Sequence, residues 1–366
     1  MENLVNPGFW TGKRVFLTGH TGFKGAWLAL WLTQMGADVF GYALPPTQPD
    51  TLFELLGLNT YLSRSTLADI RDGARLQDAM QDANPDVVLH LAAQALVPAG
   101  YAQPIETFSV NVMGTAHVLE CARFCKNLTA IAVVTSDKCY ENHEWPWGYR
   151  ETDRLGGFDP YSASKGAAEL VTSSYRQSFL TQRGIAVATA RAGNVIGGGD
   201  RTPTRLVPDA LAAFEKGDPL RLRNPGAVRP WQHVLDPLHG YLQLCEKLHQ
   251  EGGRWAEAWN FGPSSEEALT VQNMVRILAE HWPHPVQWCA DTSTHVHETH
   301  SLGLDCSKAR QQLGWRPVWT ARTATQKTVQ WHLTVHTHQH HAATDVCRQQ
   351  LAEFLEDARQ HPSHHA

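Results

Sequence analysis

Arg14-Val15-Phe16-Leu17-Thr18-Gly19-His20-Thr21-Gly22-Phe23-Lys24-Gly25 is the stretch on which the fold turns. Five residues of buried-strand character run into Gly19, and Phe23 to Gly36 then carries the apolar face of a helix. Between strand and helix three glycines stand three apart, so backbone N–H groups at a helix N-terminus are free to approach a pyrophosphate. A tight strand-to-helix turn with no ligand is the alternative. The strand before and the helix after favour the cradle.

Outward from the cradle, a second strand, Ala37 to Tyr42, follows Gly36. Strand-like runs recur at Ser65–Ala68, Asp86–Leu91, Thr129–Thr135 and Ile185–Arg191, separated by helical stretches at Asp72–Ala83, Ile105–Cys125 and Tyr161–Arg183. Such alternation predicts an α/β fold of Rossmann type, a doubly wound parallel sheet with helices on both faces. After Asn194 the alternation stops, and Gly197-Gly198-Gly199-Asp200 opens a loop-rich region. A helix at about Asp236–Gln250, a strand at Ala258–Phe261 and a helix at Val271–His281 follow and could return to either lobe. The expectation is a Rossmann domain over 1–193 with return segments about 230–262. A smaller, discontinuous α/β substrate-binding lobe takes 194–229 and 263–330, and 331–366 forms a helical, His-rich tail with a frayed end at 361–366.

The 366 residues suffice to bury a core without disulfide or metal staples. Hydrophobic residues make up 42% and charged residues 18%, a balance that excludes a disordered chain. A formal net charge of −5 argues against a non-specific nucleic-acid binder, which needs an excess of Lys and Arg. Ala26–Leu32 is too short to span a bilayer, and Met1–Asn6 has no basic region followed by an apolar one. Neither nucleic acid nor membrane is expected as a partner, and the expected location is cytoplasmic. Seven cysteines without a C-x-x-C pair read as reduced thiols. Among the 20 histidines, His295, His297 and His300 do not form H-E-x-x-H, and His336–His341 is a tract of the kind that binds metal adventitiously. No catalytic metal is expected.

A dinucleotide fold often places an acid at the end of the second strand, where this chain reads Val39-Phe40-Gly41-Tyr42; the choice between NAD and NADP stays open. Asp69 and Ile70 after the third strand either face the adenine or form a solvated turn. Leu91-Ala92-Ala93 supplies small residues where a cofactor passes close to backbone, with Gln94 assigned to the substrate. Tyr161 and Lys165, four residues apart, share one helix face. Unless they are an ordinary surface pair, the ammonium would lower the phenol from a pKa of about 10 toward working pH. Tyr161 would then accept a proton from a sugar hydroxyl as hydride leaves the same carbon.

GxxGxxG at the first turn, Ser136 after the fifth strand and YxxxK together resemble the extended short-chain dehydrogenase/reductase family, a likeness that runs to about residue 330. Leu304-Asp-Cys-Ser-Lys-Ala-Arg-Gln-Gln-Leu-Gly-Trp-Arg-Pro317 is similar to the C-terminal segment of its nucleotide-sugar members. The resemblance implies that Gly19, His20, Thr21, Gly22, Phe23, Lys24 and Gly25 bind the cofactor. It further implies that Ser136 bonds the substrate hydroxyl, Tyr161 is the base and Lys165 holds the nicotinamide ribose. Asn194 would contact the nucleotide-sugar diphosphate, with Arg205, Arg221 and Arg229 as candidates for the same anion. Trp231 either stacks on the base or packs in the core.

Thr135-Ser-Asp-Lys-Cys-Tyr140, Glu144-Trp-Pro-Trp-Gly-Tyr-Arg150 and Leu155-Gly-Gly-Phe-Asp-Pro-Tyr161 narrow the likeness to the branch that dehydrates CDP-glucose at carbons 4 and 6. Oxidation at C4 acidifies the C5 proton, an acid then protonates the departing C6 hydroxyl, and hydride returns to C6. In that branch of chemistry Asp137 is the acid. Lys138 stands where a glutamate base is common, and is either a base with a depressed pKa or a stabiliser of the enolate. The resemblance also implies a homodimer through a four-helix seam built from Ile105–Cys125 and Tyr161–Arg183. A nucleotide-sugar epimerase, which needs no acid at C6, and a non-catalytic dinucleotide-binding scaffold are the competing readings.

Overall fold

In the computed structural model, which describes residues 4–264, 267–291, 301–338 and 342–360, the segment Arg14–Thr18 forms strand β1 at the centre of a sheet. It is joined in chain order by β2 (Asp38–Ala43), β3 (Arg64–Leu67), β4 (Val87–His90), β5 (Ala130–Val134) and β6 (Ala186–Ala192). Short strands follow: β7 (Asn194–Ile196), β8 (Leu220–Leu222), β9 (Val228–Arg229) and β10 (Trp231–His233). β11 (Ala258–Phe261), β12 (Leu269–Thr270) and β13 (Trp288–Ala290) complete the set. The large sheet runs β11-β6-β5-β4-β1-β2-β3, and all its pairings are parallel. Central strands such as β4 and β5 are buried at every position, which is why they read as unbroken apolar runs rather than as alternation. The chain winds outward from β1 to β3, then crosses back to β4. Strand order thus reverses between β1 and β4 and opens a crevice beyond their C-terminal ends.

Helices cover both faces. Phe23–Gln34 and Leu235–Glu251 bury Trp27, Trp31, Leu238 and Leu242 against one face, and Gly73–Ala83 with Gly114–Ala122 bury Leu76, Met80 and Leu119 against the other. A third core, built around Phe214, Trp231, Met274 and Leu278, lies under the short strands and the helices Leu206–Lys216 and Val271–His281. The C-terminal segment is helical over Ala321–His338 and Ala342–Gln360, and its Trp331, Cys347, Leu351 and Phe354 join the main core. The frayed end expected at 361–366 lies outside the described residues.

Two long helices differ from expectation. Ile105–Cys125 divides into Pro104–Phe108, a wider i→i+5 turn at Ser109–Met113, and Gly114–Ala122. The cause is a long-range fastening: Asn111 bonds both the N–H and the carbonyl of Gln94 and the Ser164 hydroxyl. Its own carbonyl accepts from Thr115 Oγ1 at 2.7 Å. Tyr161–Arg183 becomes Pro160–Tyr175, a second wide turn at Arg176–Leu180 and a tight turn at Thr181–Arg183 that Gly184 ends in the left-handed region.

Candidate active site

A cavity of about 820 Å³ fills the crevice and continues beneath the smaller core. Its floor is the glycine cradle. A Cβ on Gly19, which has φ +79°, would lie 2.8 Å from the Ala92 nitrogen, and one on Gly25 would lie 2.0 Å from the Gly19 carbonyl oxygen. Those two glycines let backbones touch. Gly22 meets nothing nearer than 3.4 Å and leaves its face open to the cavity. Thr21, Phe23 and Lys24 line the same wall. His20 does not: its ring is buried beneath the cradle, edge-on to Phe53 and bonded to Ser65 Oγ at 2.8 Å. It fits only because Gly41 carries no side chain, since a Cβ there would approach the ring to 2.5 Å. Burial pushes this imidazole down to about 4.

At the adenosine end, Asp69 and Ile70 line the cavity together with Leu91, Ala92 and Ala93. Asp69 is half of an ion pair: the Arg71 guanidinium bonds both its oxygens at 2.9 and 2.5 Å and holds the carboxyl below its ordinary range. Gln94 also lines the cavity, with its amide engaged by the Leu96 N–H and the Thr107 hydroxyl.

Beyond β5 the chain makes a single tight turn, Asp137–Cys139, capped by Ser136. Ser136 Oγ accepts from the Lys138 N–H at 3.2 Å and donates to Asp137 Oδ1 at 2.9 Å. Asp137 is 2% exposed, and its Oδ2 has no hydrogen-bond partner among the described residues. Burial raises its carboxyl above the ordinary value, against the opposing pull of Lys138, Ser136, Arg229 and Lys24. Lys24, on the facing cradle, is itself pushed down to about 7, by burial first and then by Arg205 and Lys165.

Tyr161 and Lys165 come from the helix Pro160–Tyr175, whose start is set by Asp159: its carboxylate accepts from the Ser162 N–H at 3.0 Å and from the Ser162 hydroxyl at 2.5 Å. Both residues are buried and line the cavity beside Ser136. The expected lowering of the phenol is not found. Burial pushes Tyr161 up to about 12, with the Ser136 hydrogen bond acting the other way, because the Lys165 ammonium is turned to the Val134 carbonyl at 3.4 Å. Lys165 is pushed down to about 8 by burial, which Glu169 and Cys139 oppose.

Under the smaller core, Asn194, Arg205, Arg221, Arg229 and Trp231 all face the cavity. Arg205 pairs with Asp200 at 3.3 Å, and Arg229 donates to the Val228 carbonyl at 2.9 Å. Trp231 packs in the third core, 4% exposed, and also lines the cavity. Asp200, Arg223 and Asn224 line this wall too and are missing from the sequence reading, although Arg221-Leu-Arg-Asn224 is a visible basic cluster. Of the histidines weighed as metal ligands, 295, 297, 300, 340 and 341 lie outside the described residues. His336 Nδ1 lies 3.0 Å from Glu215 Oε1, and neither residue lines this cavity.

The family model described as GDP-mannose 4,6 dehydratase matches residues 16–328. The chain is 50% identical over 334 residues to the CDP-glucose 4,6-dehydratase of Salmonella typhimurium strain LT2, covering 90% of this chain and 93% of that protein. It is 28% identical to a dTDP-glucose 4,6-dehydratase of Xanthomonas campestris pv. campestris, over 87% of this chain and 92% of the other. Among solved structures, the dTDP-glucose 4,6-dehydratase of Streptomyces venezuelae with NAD bound superposes with a TM-score of 0.75 at 25% identity, covering 88% of this chain and 98% of that one.

Proposed function

Because the chain belongs to the GDP-mannose 4,6-dehydratase family, we propose that it is a hydro-lyase converting CDP-D-glucose to CDP-4-keto-6-deoxy-D-glucose and water, with NAD as its resident cofactor. One observation carries the reading. A buried carboxyl with one unpartnered oxygen, Asp137, shares a cavity with the Tyr161–Lys165 pair and the glycine cradle. An oxidoreductase or epimerase needs the pair and the cradle, whereas only a dehydratase needs an acid for a departing hydroxyl.

The residues present fit the cofactor. Gly22 leaves backbone N–H groups open at a helix N-terminus, and Ala92 and Ala93 keep the adjoining wall shallow. When bound, NAD supplies hydride acceptance from sugar C4 and hydride return to C6. Tyr161 takes the proton of the C4 hydroxyl, with the Ser136 hydroxyl turning from Asp137 Oδ1 to donate a hydrogen bond to the same oxygen. Lys165 holds the ribose next to Tyr161, and its charge favours the phenolate once the two are drawn together. Lys138 acts on the C5 proton, as base or as stabiliser of the enolate, and Asp137 delivers its proton to the C6 hydroxyl. Asn194, Arg205, Arg221 and Arg229 offer a cationic wall to the diphosphate.

The reaction is placed in the cytoplasm, consistent with seven free thiols, and its product is read as a precursor of deoxysugars of surface polysaccharide such as the O-antigen of lipopolysaccharide. The working unit is read as a homodimer. Exposed Ile105, Met113 and Leu170 on the two helices of the expected seam support it, at 80%, 51% and 62% exposure.

CDP-glucose carrying deuterium at C4 tests the whole reading. Loss of one water with the label recovered at C6 of the same molecule is the expected result, and label retained at C4 would overturn it.

A further inference from the structure

The turn that aims Asp137 and Lys138 is three residues long, too short to hold a conformation by its own hydrogen bonds. Together with its cap Ser136 it is held between Thr135 and Tyr140, and both of these are fastened to one buried ion pair. Before the turn, Thr135 Oγ1 donates to Glu169 Oε1 at 2.5 Å. After it, the Tyr140 hydroxyl accepts from Arg191 Nη1 and donates to Asn260 Oδ1, both at 2.7 Å. Glu169 and Arg191 meet through two parallel bonds, Nε to Oε1 at 2.9 Å and Nη2 to Oε2 at 2.8 Å, with side chains 4% and 3% exposed. Thr189 Oγ1 donates to Oε2 at 2.7 Å, so each carboxylate oxygen accepts two bonds. Burial alone would raise Glu169, but Arg191, Thr135 and Thr189 outweigh it and hold the carboxyl below its ordinary range.

A buried pair of this kind adds little stability over a well-packed apolar replacement, because desolvation offsets the attraction. What this pair contributes is position. We propose that Glu169 and Arg191 are positioning residues: a buried clamp that fixes both ends of the Ser136–Cys139 turn and so sets where Asp137 and Lys138 point. The inference deepens the dehydratase reading and rests on it for the chemistry.

Glu169 also lies one helical turn beyond Lys165. The groups that act on this ammonium, or are acted on by it, are Glu169 on its own helix, Cys139 from the turn, Lys24 from the cradle helix and His90 from β4. Of these Glu169 is the nearby anion, so its charge helps keep Lys165 protonated as pH rises.

Tyr140→Phe and Thr135→Val each remove one strut and leave the ion pair; Glu169→Gln removes its charge. The amides of Lys138 and Cys139, bonded to the Ser136 hydroxyl and carbonyl, report on the turn by hydrogen exchange. In both strut variants these amides should exchange at least about tenfold faster, with the melting temperature little changed. Turnover of CDP-glucose should fall about 10²-fold with KM within about twofold, as expected for a misaimed group. Glu169→Gln should in addition move the alkaline limb of the pH profile to lower pH, a shift the Tyr140→Phe variant does not show. Strut variants that exchange and turn over like the parent would overturn the clamp, even if Glu169→Gln fails to fold. A parent that does not dehydrate CDP-glucose would instead defeat the functional reading, while the exchange rates still decide the clamp.

Discussion

Burial, rather than a charged partner, raises the Asp137 carboxyl above its ordinary range, the direction that the proposed acid role needs. Its Oδ2 is buried without a hydrogen-bond partner among the described residues and its Oδ1 accepts from Ser136, so the carboxyl is held in one orientation in a residue that lines the cavity. Asp137→Asn keeps the shape and the bond from Ser136 but has no acidic proton to deliver. Dehydration should fall by about 10²- to 10⁴-fold. Oxidation at C4 should survive, seen as reduced-cofactor absorbance that builds up when CDP-glucose is added and does not decay; equal loss of both steps would count against the assigned role. The shared helix face of Tyr161 and Lys165 was legible from their spacing, and the strand ending in Thr135-Ser136 together with the glycine cradle set them apart from an ordinary surface pair. The direction of the Tyr161 shift was not legible, because it depends on where the Lys165 ammonium points and on how deeply the phenol is packed. His20 failed for a related reason: whether it faces the ligand or the core depends on the missing side chain of Gly41, on another strand.

The cradle and the helix Phe23–Gln34 act as one element, because Gly25 in the first helical turn touches the Gly19 carbonyl before it. Gly25→Ala would force that carbonyl aside by overpacking, at about 1–3 kcal/mol. The expected outcome is a lower unfolding midpoint and NAD affinity reduced at least about tenfold, measured by titration of the purified apoprotein. Gly22→Ala, with 3.4 Å of clearance, should leave the midpoint nearly unchanged and affect NAD alone. On the helix Pro160–Tyr175, which belongs to the proposed seam, Leu170→Glu should shift the proposed homodimer to monomer in sedimentation; a variant that sediments like the parent would exclude this face. Strands of the large sheet were readable to within a residue or two, the central ones because parallel strands covered on both faces are apolar at each position. The short strands β7–β10, β12 and β13 were not read. The breaks at Ser109–Met113 and Arg176–Leu180 were not, and the first arises from Asn111 reaching Gln94 and Ser164 far along the chain.

Across the whole molecule, one seam joins segments from near both ends of the chain. The cradle helix brings Trp27 and Trp31, the helix Leu235–Glu251 brings His239, and the C-terminal segment brings Trp319 and Phe354. Residues 331–366 were read as a helical, His-rich tail without a place in the core, although Cys347, Leu351 and Phe354 recur at four and three residues, the spacing of a buried stripe. His239 stacks on Trp31 at 6.3 Å, edge-on to Phe354 at 5.8 Å, and neither ring nitrogen has a hydrogen-bond partner among the described residues. Burial pushes it down to about 4 from an ordinary 6.5. His233, between Trp27 and Trp319, is pushed down to about 3. Below pH 6.5 the unfolded chain binds protons that the folded seam refuses, so their contribution to stability is complete above that pH. It is lost as pH falls toward 4 and 3, at about 1.4 kcal/mol per pH unit for each histidine. His239→Phe keeps a ring in the same slot and removes one titration. Its unfolding free energy from urea titration should match the parent within about 1 kcal/mol at pH 7. At pH 4.5 the variant should exceed the parent by about 2–3 kcal/mol. An equal loss in both proteins between those two pH values would show that acid unfolding begins elsewhere than in this seam.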